Sequence, residues 1–142
     1  MNWKVSNISL EKLNSTVKNT LAEVLGIEYV GFGDTYLLAK MPVDSRTHQP
    51  AGLLHGGASV ALAETIGSLG GYLMMPEGEY DVVGLDINSN HIRGVTSGYV
   101  FAKAWPLHVG KVTQVWQCEI RDDSEKLVSV SRLTVMNLKR AA

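Results

Sequence analysis

The sequence predicts an α+β fold in which an antiparallel sheet curls around one apolar helix. Three features point that way. Gly56 to Met75 is apolar on nearly every face, with Glu64 its only charged residue. From Val82 onward the chain reads as a series of β runs joined by short turn-forming links, and links this short favour antiparallel neighbours. Within one run, Gln114, Trp116, Cys118 and Ile120 alternate with Thr113, Val115, Gln117 and Glu119, the period expected of a sheet covered on one side.

Each element follows from local signals. Ser9 to Leu25 reads as an amphipathic helix: Ser9 caps it, Leu10, Leu13, Val17, Leu21 and Leu25 recur at helical spacing, and Gly26 ends it. Ile27–Phe32 and Tyr36–Met41 read as strands around the turn Gly33-Asp34. Pro42 to Gly52 is a polar loop that delivers His48 and Gln49 ahead of the central helix, which runs from Gly56 to Met75 and stops before Pro76. Four strands are then expected at Val82–His91, Tyr99–Trp105, Val112–Arg121 and Leu127–Leu138. Gly94–Ser97, Pro106–Gly110 and Asp122–Lys126 serve as their links.

Composition narrows the function classes. At 142 residues and 45% hydrophobic, the chain is expected to form one domain over residues 1–142. The net charge is −1 and the Lys and Arg residues stand singly, so no nucleic-acid partner is expected. The single cysteine, Cys118, excludes an internal disulfide framework and suits a reducing cytoplasm; mid-strand, it reads as a packed small hydrophobe. No signal peptide is expected, and Glu64 with the helix glycines makes a buried helix a better reading of Ala58–Met75 than a membrane span. His48, His55, His91 and His108 lack the spacing of a metal cluster, so no metal is expected. No His-Glu-x-x-His, Gly-x-Ser-x-Gly or phosphate-loop pattern occurs.

The chemistry concentrates in Leu53-Leu54-His55-Gly56-Gly57 and the helix that follows. Glu64 and Ser68, four apart, share a helix face. A desolvated carboxylate is costly without partners or a task. Here it lies two or three turns from a helix N-terminus, whose free N–H groups suit the polarisation of a carbonyl oxygen. Acyl transfer to water is the reaction these residues suggest.

The ordered set Leu-His-Gly-Gly (54–57), Ala-Glu-Thr-Ile-Gly-Ser (63–68), Met-Pro-Val-Asp (41–44), Arg46-Thr47 with Gln49-Pro50, Val-Gly-Leu-Asp-Ile-Asn (83–88), His-Ile-Arg (91–93) and Leu-His-Val-Gly-Lys (107–111) covers the chain from about Leu25 to Leu138. It resembles the hot-dog-fold acyl-CoA thioesterases of the 4-hydroxybenzoyl-CoA and phenylacetate-pathway type. Within them it most resembles the branch holding the 1,4-dihydroxy-2-naphthoyl-CoA hydrolase of menaquinone synthesis and the enterobactin-pathway proofreading thioesterase. The resemblance implies that Glu64 attacks the thioester carbonyl or activates water. It also implies that the Gly56 N–H contacts the thioester oxygen, that His55 and Gln49 lie on the thioester group, and that Ser68 holds the water or the carboxylate. Val83 and Gly84 would flank the pantetheine arm. Asn90, His91, Ile92 and Arg93, with Leu107, His108, Val109, Gly110, Lys111 and Val112, would hold coenzyme A, which is substrate rather than cofactor. Leu69, Leu73, Met74 and Met75 are candidates for the acyl pocket. The implied assembly is a homodimer with sites shared across its two-fold, and a tetramer as a dimer of dimers. The alternatives are proofreading hydrolysis on an aryl carrier protein, a hot-dog dehydratase, and a non-catalytic acyl-CoA binding module.

Overall fold

The computed structural model describes residues 2–142. The expected N-terminal helix is two short ones, α1 (Leu10–Ser15) and α2 (Leu21–Val24). Ser9 caps α1 as its sequence suggests, accepting from the Lys12 N–H at 3.1 Å. The helix then breaks where hydroxyls compete for backbone carbonyls. Thr16 Oγ1 donates to the Leu13 carbonyl at 2.7 Å, Thr20 Oγ1 donates to the Val17 carbonyl at 2.6 Å, and Asn19 takes a left-handed φ of 61°. The apolar stripe is correspondingly incomplete: Leu13 is buried, but Leu21 remains 62% exposed.

Strands β1 (Glu28–Phe32) and β2 (Leu37–Pro42) pair around the Gly33 turn, which closes with the Gly33 N–H donating to the Tyr36 carbonyl at 2.9 Å. Helix α3 (Gly56–Leu73) follows the polar loop, ending two residues short of Met75. Strands β3 (Tyr80–His91), β4 (Tyr99–Val109), β5 (Thr113–Arg121) and β6 (Leu127–Lys139) complete the molecule. Strand β4 outruns its expected end at Trp105. Pro106 is absorbed into the ladder opposite Trp116, and the register shifts between Pro106 and His108, a bulge where the missing proline N–H is tolerated. The link to β5 therefore shrinks to Gly110–Val112.

All neighbours in the six-stranded sheet are antiparallel, in the order β1-β2-β4-β5-β6-β3. The sheet wraps α3, burying Leu62, Ala63 and Ile66 against Val100, Ala102, Trp116, Leu133 and Val135. Burying each large side chain contributes roughly 1.5–3 kcal/mol. Close approach needs the helix glycines: a Cβ on Gly70 would lie 2.6 Å from the Trp116 ring, which also stacks on Trp3. No helix among the described residues is long and apolar enough to cross a membrane.

Gln114, Trp116, Cys118 and Ile120 face inward as their alternation predicts. Burial pushes the Cys118 thiol up to about 12, so at neutral pH it is protonated and unreactive. Gln114, fully buried, is satisfied on every side. Its Oε1 accepts from Trp116 Nε1 at 2.9 Å, and its Nε2 donates to the Gly71 carbonyl at 3.0 Å and to Asn137 Oδ1 at 2.8 Å.

Candidate functional site

The loop after β2 is built to present Gln49 and His55 beside the helix mouth. Buried Thr47 ties it down, its Oγ1 donating to the Pro42 carbonyl at 2.7 Å while its own carbonyl accepts from the His55 N–H at 2.7 Å. The Gln49 N–H donates to the Leu53 carbonyl at 2.8 Å, and Gln49 Oε1 accepts from the Ala51 N–H. With its oxygen engaged inside the loop, the Gln49 amide offers its NH₂ group to a partner.

His55 is the N-cap of α3, and its Nδ1 accepts from the Gly57 N–H at 2.8 Å. In a neutral imidazole that bond places the proton on Nε2, so the ring presents a donor to its surroundings. Ala58 and Ser59 donate to the His55 carbonyl at 3.0 and 3.3 Å. The Gly56 N–H is left as a first-turn donor at the positive end of the helix dipole. Against Gly56 lies the His91 ring: a Cβ there would meet His91 Nε2 at 2.9 Å. A pocket of about 300 Å³ opens at this point, lined by Gln49, Gly56, Ser59, His91, Ile92 and Arg93 with neighbouring apolar residues. The structure thus brings together five residues that the sequence singles out. It also adds Ser59, buried one helical turn beyond Gly56; its i, i+3 spacing from Gly56 was the available signal.

Glu64 and Ser68 stand elsewhere. Two helical turns, about 12 Å along the axis, separate Glu64 from Gly56. The Glu64 carboxylate lies over β3, where a Cβ on Gly84 would fall 2.7 Å from Glu64 Oε1. The β3–β6 register slips between Gly84 and Asp86, so a bulge sits beside the carboxylate. The side chain is half-buried rather than enclosed, because β3 is an edge strand with no neighbour beyond it among the described residues. Ser68 lines a groove of about 590 Å³ with Thr65, Leu69, Tyr72, Val82 and Val83, whose far wall is the α1–α2 segment. Of the residues expected around an acyl group, Leu69 is in this groove, whereas Leu73, Met74 and Met75 are core. A helix hydrophobic all round gives no period from which to tell its open face from its packed ones.

The remaining candidates fall in two places. Leu107, His108, Val109, Gly110, Lys111 and Val112 form the end of β4 and its turn into β5; Leu107, His108, Lys111 and Val112 are exposed, and the His108 ring covers Gly110. Asn90 alternates with His91 and so lies on the other side of β3, in a hollow with Asn88, Gln117 and Arg132. It is not part of the pocket at the helix mouth.

Residues 51–129 match the sequence model of the thioesterase superfamily. The chain is 53% identical over 134 residues to the 1,4-dihydroxy-2-naphthoyl-CoA hydrolase of Escherichia coli, covering 94% of this chain and 97% of that one. It is 51% identical over 134 residues to the proofreading thioesterase EntH of Cronobacter turicensis, covering 94% and 96%. The crystal structure of a Haemophilus influenzae thioesterase superposes with a TM-score of 0.94 at 53% identity, covering 98% of this chain and 96% of that one. Helix, sheet and these likenesses agree: the chain belongs to the thioesterase superfamily and is a thioester hydrolase with the hot-dog fold.

Proposed function

We propose that this enzyme hydrolyses an aromatic acyl-CoA, with 1,4-dihydroxy-2-naphthoyl-CoA of the menaquinone or phylloquinone route as substrate. The observation that carries the mechanism is the division of labour along α3. The mouth holds neutral donors for a developing oxyanion, the Gly56 N–H and His55 Nε2–H, with the Gln49 amide alongside. The mid-helix holds an acidic group, Glu64, with a hydroxyl one turn on. Two routes fit. In one, Glu64 attacks the thioester carbon, expels the coenzyme A thiolate and leaves a mixed anhydride that water opens. In the other, Glu64 takes a proton from water held by Ser68 as that water adds to the carbonyl. Both end in free acid and coenzyme A thiol.

One chain keeps these halves apart, and the β3 edge supports their union across a dimer. That edge is long and unpaired, with Val83 and Leu85 41% and 53% exposed. Pairing it with a second copy would seat Glu64 and Ser68 of one chain against Gln49, His55 and Gly56 of the other, and would enclose the carboxylate. The outer face of the sheet exposes Val30, Tyr99 and Phe101, which supports a dimer of dimers. Coenzyme A would run from Val83 and Gly84 to phosphate contacts at His91, Arg93 and Lys111. The chain would work in the cytoplasm.

The likeness to EntH supports a second reading, proofreading hydrolysis on an aryl carrier protein. Free-thiol release over a panel of naphthoyl, benzoyl and aliphatic CoA thioesters plus an aryl-loaded carrier protein tests both. The dihydroxynaphthoyl thioester is expected to give the highest kcat/KM; a carrier-protein thioester ahead of it would establish the proofreading reading instead.

A further inference from the structure

Gln114 and Asn137 are polar side chains in a position where packing alone would favour leucine. Their hydrogen bonds run in one direction. Trp116 Nε1 donates to Gln114 Oε1 at 2.9 Å, and Gln114 Nε2 donates to Asn137 Oδ1 at 2.8 Å. Asn137 Nδ2 then donates to the carbonyls of Gly110 and Lys111 at 3.0 and 3.3 Å. Two further bonds anchor the ends. Gln114 Nε2 donates to the Gly71 carbonyl in the last turn of α3, and the Asn137 N–H donates to the Val112 carbonyl at 2.8 Å. Every amide atom in the relay is engaged, so neither amide can rotate without losing bonds, and a fully satisfied buried network is stiff.

The consequence falls on the β4–β5 turn. The carbonyls of Gly110, Lys111 and Val112 are all committed to Asn137, so the negative ends of three peptide dipoles point into the protein. Lys111 stays exposed on the outer side. An anion approaching from solvent meets the ammonium group with those carbonyls turned away, an arrangement that favours phosphate.

We propose that Gln114 and Asn137 are positioning residues for the nucleotide end of coenzyme A, holding the Gly110–Val112 turn at a set place relative to α3. This rests on the reading that Lys111 contacts the nucleotide phosphates. Neither amide touches the reacting atoms, so the effect belongs in substrate binding rather than in chemistry.

The test compares a full acyl-CoA with the same acyl group on truncated pantetheine. Asn137→Ala is expected to raise KM for the CoA thioester about five- to tenfold while kcat stays within about twofold. It should leave the pantetheine thioester unaffected. Adding Lys111→Ala to Asn137→Ala should raise KM no further than the larger single effect, since both act through one turn. Equal losses on both substrates, a fall in kcat, or an unchanged KM would each overturn the proposal. Lys111→Ala alone separates the two ways of failing. If it raises KM for the CoA thioester and Asn137→Ala does not, positioning is wrong and the phosphate contact stands; if Lys111→Ala is itself silent, both fall. Asn137→Ser, read alongside the unfolding midpoint, serves if the alanine variant does not fold, and failure of both to fold would assign the network to stability alone.

Discussion

Glu64 shows how a residue can be legible in type and misjudged in setting. A carboxylate alone in an otherwise apolar helix announces itself in the sequence, as does the hydroxyl one turn on at Ser68. A desolvated carboxylate was the expectation, yet the side chain is half-buried and lies over Gly84. Whether a helix face is covered depends on which strand lies beside it, and here that strand is the sheet edge. Glu64→Gln keeps the shape and removes both the nucleophile and the base. It is expected to lower kcat by roughly 10²–10⁴-fold with little change in substrate binding. Retention of more than about a tenth of wild-type kcat, measured by thiol release, would make Glu64 a structural residue.

At the scale of elements, signals that are local chemistry translated well. Ser9 caps α1, Gly33 makes its turn and His55 begins α3. Competition was harder to read: leucine periodicity argued for one helix from Ser9 to Leu25, and threonine hydroxyls with a left-handed Asn19 broke it in two. The glycines of α3 carry a second lesson. Gly70→Ala should gain up to about 1 kcal/mol from helix propensity. Its new methyl would lie 2.6 Å from the Trp116 ring, which cannot retreat because it stacks on Trp3 and donates to Gln114. Overpacking of this kind costs typically 1–3 kcal/mol, so a net loss is expected in urea unfolding. A raised midpoint would show that the helix does not pack as closely as described.

At the scale of the molecule, the two halves of the candidate site lie about 12 Å apart along one helix, and the proposed dimer would join the half from one chain to the complementary half of the other. Glu64→Ala and Gln49→Ala variants are each expected to be nearly inactive alone. After co-refolding, random pairing puts about half of the dimers in the mixed state, each with one of two sites intact, so roughly a quarter of wild-type activity should return. No recovery, with exchange of subunits demonstrated by mass, would mean that each chain forms its own complete site.

The candidate residues for the chemistry, and the order of helix and strands, could be read along the chain because both rest on neighbours in sequence. Alternation marks a strand, a capping side chain marks a helix start, and a charge in an apolar run marks a task. Which of those residues meet could not be read that way. His91 against Gly56, Gly84 beneath Glu64, and Asn137 gripping the turn at Lys111 each join segments at least 20 residues apart. Their pairing follows from strand order and register, which the bulges at Leu85 and Leu107 reset by one residue. A one-residue slip moves a side chain to the opposite face, as Asn90 and His91 illustrate, and no local pattern carries that information.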